Sequence, residues 1–429
     1  MTTETLAIDG GTPVRTERFG NKHIFGDEDM RQLTDLMSNA NVRWNGGDKV
    51  QAFEDQFAQI HDIKYAQATD SGSGALHSAV AALDLEPGDE IITTPVTDIG
   101  TVQGMLLQNL IPVFADWDAD TFNTDPKDIE RRITDRTGAI VVVHLLGNPC
   151  DMDEILDIGR RYNLPIIEDC AQAHLAEYKG RLVGTMGDMG CYSLGGKMMT
   201  TGQGGMIITN NEALARRAKG HAHKGSEYDD ELRESLRPTA ERRGSERGYS
   251  FLGDFHTMSD LQGAIGLAQI QRWQEYKELR AHSASILDEE TFELPGFRHQ
   301  LVREGNVRTH WVWGFKIIEE EMGINCEQFC QAVKAEGIPL CNGPYLQGRP
   351  LYRYPVFAEE RTYGKSGYPF VDDNGERRID YNALHLPVIE RELPKVGGIQ
   401  FLSTFTEDDV RDIGRAIRKV ALHYAARSG

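Results

Sequence analysis

One feature limits the fold more than any other: from about residue 50 to 210, short apolar runs alternate with stretches of helical periodicity. Helices are expected over residues 73–83, 101–109 and 152–162, and strands over 90–94, 111–115, 139–145, 164–168, 189–193 and 205–209. That alternation predicts an α/β fold, with a mainly parallel sheet covered by helices. A chain of 429 residues exceeds one hydrophobic core, so a second, smaller domain and a cleft between the two follow. A long amphipathic pattern over residues 258–280 leads into it. The expected division is an N-terminal arm and large domain over 1–274 and a small C-terminal α+β domain over 275–429.

Charge narrows the partners. With 66 acidic against 46 basic side chains, the net charge of −20 offers no basic footprint for nucleic acid or an anionic membrane. The longest apolar stretch, residues 139–146, is too short to cross a bilayer, and a cytoplasmic location is expected. The six cysteines suggest neither a disulfide framework nor a metal site; Cys326 and Cys330, one helical turn apart, read as packing residues. The charge-rich segment 224–248 reads as an exposed surface excursion.

Three segments carry chemistry. The first is AQATDSGSGALHSA (66–79), a strand end, small residues and a helix start. Unpaired amides at a helix N-terminus favour a phosphate, Gly72 and Gly74 permit close approach, and Ser71 and Ser73 add hydroxyls; a plain N-cap is the simpler alternative. The second is LPIIEDCAQAH (164–174), which puts Glu168 and Asp169 at the carboxyl end of a buried strand, where open α/β sheets bind ligands. A carboxylate there needs a cation, such as a protonated pyridine nitrogen, unless it caps the next helix. The third is CYSLGGKMMTTGQGGM (191–206), in which Lys197 stands among small and apolar residues. Such surroundings disfavour the ammonium form and leave an amine able to form a Schiff base. The glycines on either side suit a tight loop.

In this order and spacing, the segments resemble the DegT/DnrJ/EryC1/StrS family of sugar aminotransferases. The likeness runs from LAIDGGTPVRT (6–16) through WNGGDKVQAFEDQFA (44–58), GDEIIT (88–93), IPVFADWD (111–118) and HLLGNPCDMDEI (144–155) to AEGIPLCNGPY (335–345). GGTPVR and WNGG look most like the branch of inosose aminotransferases and aminohydroxybenzoate synthase. The resemblance implies a fold-type I pyridoxal phosphate-dependent transferase with a seven-stranded sheet, acting as a homodimer. Lys197 becomes the Schiff-base lysine and Asp169 the partner of the pyridine nitrogen. Gln172 meets the cofactor's ring hydroxyl, and Ser73, Gly74, Gly72 and Ser193 surround its phosphate. The implied reaction moves an amino group from glutamate or glutamine to a keto-sugar or keto-cyclitol, with pyridoxamine 5'-phosphate as the intermediate cofactor form. Lys197, once released, serves as general base and acid.

Four departures from the family pattern surround this site. Ser193 precedes Lys197 by four residues where the family has five. PVTDIGT (95–101) lacks the aromatic that stacks on the cofactor, leaving Asp98 or Ile99 in that neighbourhood. Phe255 replaces the asparagine that reaches the partner subunit's phosphate, and Gln203 replaces a glutamate. Elimination or decarboxylation with the same cofactor, and a non-catalytic binding protein of the same fold, are the rival readings. Tyr345, His310 and Trp311 are candidates to face a substrate, although HWVWGF (310–315) also alternates as a core strand does.

Overall fold

Residues 139–143, AIVVV, alternate between two buried layers, as a strand covered on both faces must. Ala139, Val141 and Val143 join one apolar cluster with Ala75, Leu76 and Val102. Ile140 and Val142 join another with Ile155 and Ile158. The unbroken apolar run marks an interior strand. The computed structural model that gives this arrangement describes residues 4–21, 24–39, 42, 47–226, 249–343, 348–372 and 374–428. Residues 227–248 of the charged segment 224–248, and Tyr345, lie outside the described residues.

The strands of the first half are β1 (Tyr65–Thr69), β2 (Glu90–Thr93), β3 (Ile111–Phe114), β4 (Thr137–Val143), β5 (Ile166–Asp169), a small hairpin of β6 (Glu177–Tyr178) and β7 (Arg181–Leu182), then β8 (Met189–Gly195) and β9 (Thr200–Thr209). Seven of them form one sheet in the order β1-β9-β8-β5-β4-β2-β3. Neighbours from β8 to β3 are parallel, and β9 runs antiparallel to both β8 and β1. Since β9 opposes each of its neighbours, β1 points the same way as β8 and β5. The carboxyl ends of β1, β5 and β8 therefore share one edge, which is where the three chemical segments leave the sheet.

Up to residue 290 the described α-helices are α1 (Asp27–Ser38), α2 (Asp48–His61), α3 (Gly72–Ala82), α4 (Gly100–Leu107), α5 (Pro126–Arg131), α6 (Met152–Tyr162), α7 (Glu212–His221), α8 (Asp260–Ile270) and α9 (Trp273–Glu290). The single long pattern expected over 258–280 is divided between α8 and α9 at Gln271 and Arg272. Ser259 and Gln262 make a capping box that fixes the start of α8. A four-stranded antiparallel sheet follows, β10 (Phe297–His299), β11 (Val312–Ile317), β12 (Cys341–Asn342) and β13 (Val396–Gln400), in the order β10-β11-β13-β12. Its core holds Phe297, Trp313, Phe315, Phe329, Cys326 and Cys330, so the cysteine pair packs as expected. None of the described helices is long and apolar enough to cross a membrane.

Candidate active site

Asp169 is the last residue of β5 and is 3% exposed. Its Oδ1 accepts from the Ala171 amide at 3.0 Å and its Oδ2 from the Thr101 hydroxyl at 2.9 Å; that hydroxyl lies 2.7 Å from Thr97 Oγ1. Burial raises the Asp169 carboxyl above the ordinary range, while the two donors, Lys197 and His144 pull it back. Lys197 thus acts on this carboxylate through space. The preceding Glu168 has a different job. Its Oε2 accepts from His144 Nε2 at 3.0 Å and the Gly184 amide at 2.7 Å, and its Oε1 from the amides of Met186 at 2.8 Å and Gly187 at 2.6 Å. Four donors saturate it, which holds the turn before β8 against β5.

Lys197 sits in the connection between β8 and β9, and its Nζ stands 3.9 Å from the centroid of the Trp311 ring. Its backbone carbonyl accepts from Arg280 Nη2 at 2.8 Å, and Arg280 Nε donates to Ser403 Oγ at 3.1 Å. The glycines after the lysine do not form the loop that the sequence suggested, because Gly202, Gly204 and Gly205 belong to β9. Gly205 is required there. A Cβ on it would lie 2.2 Å from the Ser71 carbonyl oxygen, so only glycine lets β9 pass beneath the start of α3.

At that start Ser71 is the N-cap, its Oγ accepting from the Gly74 amide at 3.0 Å and donating to Asp70 Oδ1 at 2.9 Å. The simpler N-cap reading therefore holds for Ser71, and the Gly74 amide is already engaged. The amides of Gly72 and Ser73 donate to no partner among the described residues, which leaves two orphan donors at the helix N-terminus. Ser193 packs against Gly72 so closely that a Cβ there would meet Ser193 Cβ at 2.6 Å. Ser73 Oγ faces Gly100, the first residue of α4. Gln172 is buried, and its Oε1 accepts from the Leu146 amide at 2.8 Å, so the end left for a ligand is the amide nitrogen.

Asp98 Oδ1 accepts from the Gly100 amide at 2.8 Å, a local cap at the start of α4, while Ile99 is partly exposed beside it. His174 packs edge-on against Tyr192 and Trp273 and is pushed down to about 3 by burial, which suits a packing residue. Trp311, Val312, Trp313 and Phe315 are all buried core residues, and the Trp311 ring also faces the lysine. The sequence reading passed over Thr101, Arg280 and this role of Trp311.

The family model for the DegT/DnrJ/EryC1/StrS aminotransferases matches residues 24–390. The chain belongs to this family. An L-glutamine:2-deoxy-scyllo-inosose aminotransferase of Micromonospora echinospora is 32% identical to this aminotransferase, with 99% of both chains covered. A GDP-perosamine synthase of Escherichia coli is 34% identical over 78% of this chain and 84% of its own. The solved structure of an aminotransferase from Psychrobacter cryohalolentis superposes with a TM-score of 0.82 at 28% identity, covering 95% of this chain and 100% of that one. The fold is accordingly that of the fold-type I transferases, and the enzyme is an aminotransferase.

Proposed function

We propose that this aminotransferase carries an amino group from L-glutamine or L-glutamate to a ketone on a cyclitol or sugar, with pyridoxal 5'-phosphate held between Lys197 and Asp169. The observation that carries this reading is the placement of those two residues at one sheet edge, with the Lys197 charge acting on a nearly buried Asp169 carboxylate. A carboxylate raised by burial and given only two hydrogen-bond donors favours a cationic partner, and a protonated ring nitrogen is one. The orphan amides of Gly72 and Ser73, with the hydroxyls of Ser73 and Ser193, suit a phosphate, and the Gln172 amide nitrogen suits a ring hydroxyl. These residues fit the cofactor. Gly74 contributes shape, since its amide serves the N-cap.

When bound, the cofactor supplies an aldehyde and an electron-withdrawing ring. Asp169 keeps the ring nitrogen protonated. Lys197 Nζ would move the proton from the donor's α-carbon to the carbon that carried the aldehyde, and would move one from there to the acceptor's carbon when the amine is delivered. Trp311 shields that nitrogen from water on one side, and Arg280 fixes the backbone that presents it. The name of the M. echinospora relative supports glutamine as donor and a cyclitol ketone as acceptor; that of the E. coli relative supports a nucleotide-linked sugar. The family resemblance, with the apolar Tyr249 and Leu252 strongly exposed, supports a symmetric homodimer. An acidic surface without a membrane-spanning helix among the described residues supports a cytoplasmic location.

The test is spectroscopic. Adding L-glutamine or L-glutamate to the cofactor-loaded enzyme is expected to replace the visible band of pyridoxal phosphate with the near-ultraviolet band of pyridoxamine phosphate. A panel of keto-cyclitols and nucleotide-linked keto-sugars then restores it. No spectral change with either donor would refute transamination.

A further inference from the structure

On the far side of α3 from Ser193, three polar side chains converge. His77 Nδ1 lies 3.1 Å from His256 Nε2, His256 Nε2 lies 3.4 Å from Asp254 Oδ2, and His77 Nδ1 lies 3.8 Å from the same carboxylate oxygen. These are the three ligand-type atoms of a close cluster from two separate segments of the chain. We propose that His77, His256 and Asp254 bind one divalent transition-metal ion of the zinc type.

The spacing supports this. A tetrahedral ion with ligand bonds of about 2.0–2.1 Å separates its ligand atoms by roughly 3.3–3.4 Å, and the three distances here bracket that value. The donors are two imidazole nitrogens and one carboxylate oxygen, a set suited to zinc and leaving a position for water. The outer contacts are also those of a metal site. His256 Nδ1 lies 3.3 Å from Asp70 Oδ2, so a carboxylate holds the proton on the far nitrogen and leaves Nε2 with its lone pair directed at the other two ligands. His77 Nε2 lies 2.9 Å from the Gln108 amide; with that amide turned so that its oxygen accepts the Nε2 proton, His77 Nδ1 is likewise free to ligate.

The ion would join the 254–256 segment to α3, one turn beyond its phosphate-facing start. Asp70 belongs to both systems, because its Oδ1 accepts from the Ser71 cap and its Oδ2 from His256. The other His, Glu and Cys cluster, His144 with Glu168 and Cys170, carries no such proposal: Glu168 already has its four donors, and His144 Nδ1 accepts from the Cys150 amide at 3.0 Å.

The test uses the full-length, cofactor-loaded enzyme stripped with a chelator and titrated with Zn2+ alone and, separately, Co2+ alone. One Zn2+ per chain is expected, together with Co2+ d–d absorption of a low-coordinate N/O site and no thiolate charge-transfer band. Asp254→Asn, at a half-exposed position, and His256→Gln should each weaken binding by at least about tenfold, while Cys326→Ser leaves it unchanged. Metal-free melting temperatures of the variants, matched to the wild type, establish that the loss is one of ligation. A stoichiometry far below one, or wild-type binding by both Asp254→Asn and His256→Gln, overturns the proposal. So does a loss of binding in Cys326→Ser.

Discussion

Replacing Glu168 with glutamine should destabilise the enzyme by about 3–4 kcal/mol, although it removes one charge and almost no volume. Each carboxylate oxygen accepts from two donors, Oε2 from His144 and Gly184 and Oε1 from Met186 and Gly187. Whichever way the amide is set, its NH2 therefore faces two N–H groups. Rotating His144 offers no rescue, because its Nδ1 accepts from the Cys150 amide and the proton must stay on Nε2. Two bonds to a charged acceptor, at about 1.5–3 kcal/mol each, are lost. Relief of the buried charge returns part of that. The same site sets a pH dependence. Burial pushes the Glu168 carboxyl up, but His144 and the amides outweigh it and hold the group below its usual value. A depressed folded-state value means that this stability is complete above the ordinary glutamate range near 4.5 and is lost as pH falls through the lower folded value. Urea unfolding followed by fluorescence measures both effects. A Glu168→Gln midpoint equal to the wild type's, with an unchanged slope, would refute the saturated-carboxylate argument.

Lys197→Ala should abolish borohydride-fixable cofactor attachment and lower kcat by about 10²–10⁴, while free pyridoxal phosphate still binds; equal turnover would remove Lys197 from the chemistry. Asp169→Asn should cost about 10²–10³ in kcat with little change in melting temperature. Thr101→Val, which removes the donor 2.9 Å from Asp169 Oδ2, should do the same more mildly, by about tenfold, corresponding to about 1.4 kcal/mol. Gly72→Ala forces a Cβ to within 2.6 Å of Ser193 Cβ and should weaken cofactor affinity in an equilibrium titration at a stability cost of about 1–3 kcal/mol.

The sheet was legible because its central strands bury both faces, so the apolar runs stand out without periodicity. Asp169 and Lys197 were legible for a related reason: a charge at the end of an apolar run is conspicuous. What could not be read was anything set by pairing across the chain. Trp311 lies 114 positions beyond Lys197; it stood among the candidates to face a substrate, but nothing in its alternating surroundings pairs it with the lysine. Thr101 resembles any helix-start threonine until the α4 start is seen beside β5. The glycines after Lys197 suggested a loop because local flexibility was the only cue. For Gly205 the purpose is clearance beneath α3, a contact with Ser71 across more than 130 residues. The histidine cluster is scattered for the same reason, with His77 on α3 and His256 just before α8.

The Arg280 side chain turns two distant pieces of backbone into one mechanical unit. It grips the carbonyl of Lys197 with one nitrogen and Ser403, just past β13, with another. Any tilt of the smaller sheet towards an arriving acceptor must therefore drag the lysine's peptide along or sever a buried guanidinium bond.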